Sequence, residues 1–337
     1  MSRWGLKKTI LLSCGAGLLV AIAVVFLADF DETVLALRGM RLSLLPLLLL
    51  LSLGNYVFRF IKWEYFLRLL GIRLRLVDSG AVFLGGFAFS ISPGKLGEVF
   101  KSVLLKQING APLASTAPIV FAERYTDLGG LLILAALGVY GSGGGGMALL
   151  AGLLLLVMLF ALVSSRRLEI LLLSLIGRLG PLARFREPMG RALDSARMLL
   201  KLRNLPFLLL LSALAWFWEC WAMVFALEAF GVELPLTDAV YIYALATLAG
   251  ALAFLPGGLG VTEGGMVMML IARGVQKSSA AAGTILVRLT TLWFAVLIGI
   301  LALVYLDRRW HLGARLWNAA GETGPDEAGI EGRDASE

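Results

Sequence analysis

Six apolar runs of roughly bilayer length constrain this chain before any motif does: 9–28, 44–70, 113–140, 147–163, 206–230 and 278–305. About 20 apolar residues carry an α-helix across a hydrocarbon core of about 30 Å, where every backbone polar group must be satisfied within the protein. Such runs fold as helices, and everything else has to fit around them. Composition agrees. Of 337 residues, 59% are hydrophobic and 16% charged, with a mean hydropathy of +0.87, whereas soluble domains carry about 25% charge. The first run follows Arg3, Lys7 and Lys8, exceeds a signal-peptide core in length and has no small-residue cleavage site. It reads as a retained helix.

Two further apolar stretches, 78–108 and 238–272, are each broken midway by a Pro-Gly cluster. The net charge of +7 orients the set, because cytoplasmic loops collect Lys and Arg. The N-terminal cations, Arg68-Arg73-Arg75, segment 164–204 (nine cations, three acids) and Arg308-Arg309 are then cytoplasmic. The acidic loop Asp29–Glu32 and the Gly141–Gly146 loop are outside. This assignment closes only if each broken stretch enters and leaves on one side. The expected fold is an all-α polytopic membrane protein with six full spans, two re-entrant hairpins and both termini cytoplasmic. The basic segment is thus an orientation signal before it is a nucleic-acid patch.

The chain also repeats itself. LLLLS at 48–52 recurs at 208–212, and GIRLRLVD at 71–78 recurs as GVELPLTD at 231–238, both at an offset of 160. PGKLGE at 93–98 returns as PGGLGVTE at 256–263, and RYTDL at 124–128 as RLTTL at 288–292, at offsets of 163 and 164. The run 44–70 goes outside to inside, whereas 206–230 goes inside to outside, so the repeats are inverted, as in many secondary transporters. The expected organisation is an N-terminal membrane repeat over 1–140 and an inverted C-terminal repeat over 141–306 containing the basic linker 164–204. A polar cytoplasmic tail follows over 307–337, reading as disordered from about 321.

Two cysteines, Cys14 and Cys220, and one histidine, His311, exclude most zinc sites, disulfide frameworks and His-based acid–base chemistry. Asp29-Phe30-Asp31 reads as a solvated acidic turn rather than a metal motif. Gly94-Lys95 lacks the rest of a phosphate loop. No cofactor, metal or catalytic motif is expected.

The informative charges are those inside the runs, where each costs about 2.5–3.5 kcal/mol to insert. Arg124 and Arg288 fall at similar depths, and Glu123 and Asp127 share a helix face beside Arg124. Pro93, Gly94 and Gly97, and Pro256, Gly257 and Gly260, break the two hairpins and free backbone N–H groups that favour anions. Lys95 adds a cation to the first break, and Glu98 and Glu263 follow the breaks. One reading makes these groups a headgroup site, with the glutamates as counter-charges or proton carriers. The other makes Glu98–Arg124 and Glu263–Arg288 buried ion pairs that fix each hairpin. Asn55, Arg59 and Lys62 form a polar stripe that reads as the lining of a headgroup path, with Glu219 at the position corresponding to Arg59. Alternatively Lys62, and with it Arg59, snorkels to the cytoplasmic surface, the reading favoured for Lys62. Trp216, Trp218 and Trp221 read as an interfacial belt, and 184–203 as a basic amphipathic helix or a solvated linker.

SPGKLGEVFKSVLL (92–105), ERYTD (123–127) and LPGGLGVTEGG (255–265) resemble the motifs of the flippase-like membrane family named for the transmembrane half of lysylphosphatidylglycerol synthases. The resemblance spans roughly 9–306. It implies an integral membrane protein associated with moving lipids between leaflets, and carries over Pro93, Gly94, Gly97, Glu98, Arg124, Asp127, Pro256, Gly260 and Glu263 as motif positions. The soluble aminoacyl-transferase domain of the bifunctional synthases has no counterpart in this sequence. The expectation is a prokaryotic inner-membrane translocator for a lipid with an anionic or zwitterionic headgroup, or a polyprenyl phosphate. Two alternatives stand: a membrane enzyme using Glu98 and Glu263 on a lipid phosphate, and a partner subunit that docks a separate lipid-synthesis enzyme through 164–204.

Overall fold

A computed structural model describes residues 30–92, 97–139, 146–178, 180–253 and 255–310, and among these every regular element is helical. Three helices, Leu42–Leu69, Leu205–Glu228 and Lys277–Trp310, are long and apolar enough to cross a membrane by length and composition. A fourth counts if the pair Leu149–Ser164 and Arg166–Arg178, bent by 64°, is one span. The expected first span 9–28, the loop 140–145, Pro93-Gly94-Lys95-Leu96 and the tail from 311 lie outside the described residues.

In chain order, α1 (Phe30–Arg38) precedes the long α2 (Leu45–Leu69). The expected acidic loop at 29–32 is helical from Phe30 onward, the start of α1. The first broken stretch forms α3 (Leu76–Gly85), extended by a 3₁₀ turn at Gly86–Phe89, and α4 (Phe100–Asn109). The run 113–140 is a single turn, α5 (Leu113–Thr116), followed by α6 (Pro118–Val139). Pro118 has no N–H to continue the ladder, yet Ala117 keeps helical angles (φ −56°, ψ −35°), so α5 leads directly into α6.

Helix α7 (Gly146–Ser164) bends into α8 (Arg166–Arg178), and α9 (Arg186–Leu199) turns back on it. The long α10 is Leu205–Glu228. The second broken stretch gives α11 (Leu236–Leu252) and α12 (Val261–Ala272). Finally α13 (Lys277–Arg288) passes through a π-helical segment, Leu289–Trp293, into α14 (Phe294–Trp310).

The two sequence copies adopt matching local structure. Helices α2 and α10 both start with proline in the first turn, where a missing N–H costs nothing. Both end in the same turn: Gly71 at φ 71° lets the Ile72 N–H donate to Leu67, and Gly231 at φ 74° lets the Val232 N–H donate to Leu227. In each broken stretch the two helices fold back on one another, α3 on α4 and α11 on α12.

The halves interlock. Helix α2 packs along α10, α11 packs on α6, and α14 packs on α3 and its 3₁₀ turn. Lipid supplies no hydrophobic drive between helices, so close backbone approach through small residues has to hold them. Gly130 lies against the Ser212–Ala213 backbone, Gly138 against Tyr241 and Gly299 against Ala88. A Cβ on any of them would collide with backbone atoms. Both large apolar clusters draw residues from before and after position 140.

The tryptophans expected as a belt are only partly so. Trp216 is buried, Trp218 covers Gly54 and stacks near Phe58 at 6.5 Å between centroids, and Trp221 alone is exposed.

Candidate functional site

Ionisable side chains gather where α6 meets α2, α10 and the first broken stretch. Asp127 is central. Its carboxylate accepts from Lys62 Nζ at 2.5 Å, and lies 3.3 Å from Arg124 and 3.9 Å from Arg59. Lys62 is 1% exposed and also donates to Ser212 on α10 at 2.7 Å and to Thr126 at 3.3 Å. The expectation that Lys62 snorkels to the surface is thus overturned. Its helix faces α6 and α10 rather than lipid, and a carboxylate lies within reach of its short, direct path. The guanidinium of Arg59 also stands over the Phe87 ring at 5.0 Å.

Arg124 pairs with Glu98, just beyond the first break, at 3.1 Å. Its side chain is 22% exposed, the most accessible of this group, while Glu98 and Asp127 are buried. Among the described residues the Nε of Arg124 has no hydrogen-bond partner. Gly97 forms the approach to Glu98: its N–H donates to Ser92 Oγ at 2.7 Å, and a Cβ there would meet Phe89 and Ser92. Glu123, one residue before Arg124, points instead to Lys101 on α4 at 2.5 Å. Lys101 crosses the bare backbone of Gly86 and stands 4.9 Å above the Trp63 ring. Arg59, Lys62, Lys101 and Arg124 against Glu98, Glu123 and Asp127 leave four cations facing three carboxylates.

The second break builds a smaller group. Gly257 (φ 61°) and Gly260 (φ 86°) take left-handed angles that turn the chain after Pro256. Glu263 reaches back to the start of α12, its carboxylate accepting from the Gly260 N–H at 2.7 Å. Its other oxygen accepts from Arg288 Nε at 2.6 Å, and Arg288 donates a second bond to the Gly257 carbonyl at 2.8 Å. One arginine therefore ties the broken segment to α13. Glu219 on α10 is buried and accepts from Tyr243 on α11 at 2.6 Å.

The groups meet near the π-helical segment. A π-turn leaves carbonyls without their usual partner, and here Ser52 donates to the Thr290 carbonyl at 2.7 Å and Tyr56 to that of Thr291 at 3.1 Å. These two bonds tie the stretch of α2 that carries Arg59 to the segment that follows Arg288.

The two ion pairs expected from the motifs, Glu98–Arg124 and Glu263–Arg288, both form. Arg59 and Glu219 are both buried. Lys95, Pro93 and Gly94 lie outside the described residues. Sequence reasoning did not assign Lys101, Ser212 or Tyr243. Lys101 does stand inside the quoted motif, one turn after Glu98, and that spacing was the available signal. Among the described residues no group of three His, Cys, Asp or Glu side chains could hold a metal ion.

With the geometry in view, relatives can be compared. The sequence profile of the lysylphosphatidylglycerol synthase TM region matches residues 15–299. A UPF0104 membrane protein of Methanothermobacter thermautotrophicus is 27% identical over 274 residues, covering 76% of this chain and 81% of its own. UPF0104 membrane proteins of Methanocaldococcus jannaschii and Pyrococcus horikoshii are 25% and 22% identical, covering 66% and 87% of this chain and 95% and 96% of theirs. The match includes both broken segments and every charged residue of this site, and the chain belongs to the lysylphosphatidylglycerol synthase TM region family.

Proposed function

We propose that this chain moves a lipid with a charged, phosphate-containing headgroup between the leaflets of a prokaryotic cytoplasmic membrane. The observation that carries the reading is the Asp127 group. Charges this costly to bury in apolar helices mark substrate or ion pathways by default. Here one carboxylate gathers three cations, and the most accessible of them, Arg124, adjoins the first break. An arriving phosphate can take over one of the three cations of Asp127 and leave that carboxylate the other two. The acyl or polyprenyl tails stay in the bilayer while the headgroup passes.

An inverted-repeat architecture supports the same reading, with six spans, two re-entrant hairpins and both termini cytoplasmic. Helices α2 and α10 are equivalent under the offset of 160 and pack on each other. The first helix of each broken stretch leans on the long helix of the opposite half, α11 on α6 and α3 on α14. Reciprocal contacts of this kind are those of a two-fold interface. Transporters of inverted repeats place substrate between such halves near the midplane.

The test is leaflet exchange by purified protein in liposomes containing a labelled phospholipid or polyprenyl phosphate. Exchange should accelerate for at least one of them, and Arg124→Ala should slow it at least tenfold, about 1.4 kcal/mol in the barrier. Absence of acceleration for every such lipid would overturn the proposal. Chemical conversion of the lipid would favour the enzyme alternative instead.

A further inference from the structure

Helix α8 carries an apolar stripe on its outer side. Leu168, Leu171, Leu172 and Leu175 recur at i, i+3, i+4 and i+7, and they are 42%, 55%, 40% and 48% exposed. The inner side holds Glu169, which is buried, and Leu173, which packs beside Gly190 of α9. A helix lying in water would present the opposite pattern, with its leucines inward and its carboxylate outward. The ends are cationic: Arg166 and Arg167 open the helix and Arg178 closes it.

The bend gives this face a direction. Helix α7 has 19 residues, about 28 Å at 1.5 Å each, which already matches a hydrocarbon core of about 30 Å. Taken as a span along the membrane normal, it leaves α8, bent by 64°, only 26° (90 − 64) from the membrane plane. The corner is braced. Arg197 of α9 donates to the Val163 carbonyl at 2.8 Å, an end carbonyl of α7, and to Glu169 at 2.5 Å, while Arg166 donates to Glu169 at 2.9 Å. Helix α9 thus holds α8 at a fixed angle from its polar side and leaves the leucine stripe uncovered.

We infer that α8 is an interfacial helix whose leucine stripe is buried in the phospholipid surface of one leaflet, with Arg166, Arg167 and Arg178 at the level of the lipid phosphates. Charge complementarity selects this occupant. A leucine stripe bounded by arginines matches an acyl boundary bounded by phosphates. The inference rests on α7 being a span and does not require lipid exchange.

A fluorophore whose emission depends on polarity, attached to Leu171→Cys in full-length protein lacking Cys14 and Cys220, tests it in vesicles of neutral and anionic phospholipid. The same label on Glu187→Cys, at an exposed position of α9, is the aqueous reference. The 171 label should emit to the blue of the 187 label, be quenched by bromine carried on lipid chains, and resist aqueous iodide several-fold better. Equal iodide quenching at both positions would overturn the inference. So would protection at 171 that disappears on diluting the protein in lipid, which would assign the stripe to a second copy. A Leu175→Cys label should repeat the 171 result, which separates the effect from local misfolding at one site.

Discussion

Asn55 donates its side-chain N–H to the carbonyl of Ala215 at 2.8 Å, and the two positions are 160 residues apart, the interval at which the sequence repeats. Phe58 and Trp218, at the same interval, stack near one another at 6.5 Å. A residue that touches its own counterpart lies where a two-fold axis would pass. Both contacts lie at the crossing of α2 and α10, the helices that carry Arg59, Lys62 and Glu219.

The crossings depend on glycine. Gly130→Ala would bring a methyl group within 2.7 Å of the Ala213 nitrogen and force α6 from α10. It should destabilise the protein by about 1–3 kcal/mol, the usual cost of overpacking. Gly264→Ala, with no atom within 4 Å of the new methyl and an ordinary helical φ, should stabilise α12 by about 0.5–1 kcal/mol. Thermal unfolding in detergent compares the two.

Lys62 and Asp127 should prove strongly but unequally coupled. Removing Lys62 leaves Asp127 with Arg124 and Arg59, whereas removing Asp127 leaves Lys62 with only the Ser212 and Thr126 hydroxyls. Asp127→Leu should therefore cost more than Lys62→Met, approaching the roughly 3–5 kcal/mol of a broken buried pair. The double variant should cost less than the sum. A double-mutant cycle on detergent-solubilised protein reads this, and additive losses would contradict the pairing.

Glu263 has two separable duties. Glu263→Gln retains the acceptor for the Gly260 N–H and loses the ionic bond to Arg288, while Glu263→Ala loses both. Alanine should exceed glutamine in cost by about 1 kcal/mol, the worth of a helix cap. Equal losses would mean that the capping contact contributes nothing.

Acid should loosen the α7–α8 corner. Burial alone would raise the Glu169 carboxyl, but hydrogen bonds from Arg197 and Arg166 outweigh it and hold the group below its ordinary 4.5. A depressed native value means that the stabilisation is present above 4.5 and is lost as pH falls below it. The protection of α8 amides against hydrogen exchange, taken relative to the intrinsic exchange rate at each pH, should fall below that pH in the natural protein. In Glu169→Gln it should be low already at pH 7 and insensitive to acid.

Much of the candidate site is legible in the chain because helix breaks are chemically explicit. Pro and Gly halfway along an apolar stretch can hardly be anything else, and the glutamate after each break has one arginine at comparable depth. That scarcity made Glu98–Arg124 and Glu263–Arg288 one of the two readings open from the sequence, and both pairs form. Lys101 was harder. Its partner Glu123 is adjacent to Arg124, and which of the two faces the first broken stretch depends on the rotation of α6.

The amino-acid sequence by itself determined that this is a helical membrane protein with two broken segments and few internal charges. Apolar runs of about 20 residues satisfy their backbone in hydrocarbon as helices, and hydrocarbon isolates each charge from water. Tertiary structure alone decided where Lys62 goes. A lysine at that depth reaches a surface or a neighbouring carboxylate with similar ease, and only the packing of α2 against α6 and α10 puts Asp127 within 2.5 Å of its ammonium. The same packing, through glycines that let backbones touch, joins the two groups of charges around one crossing.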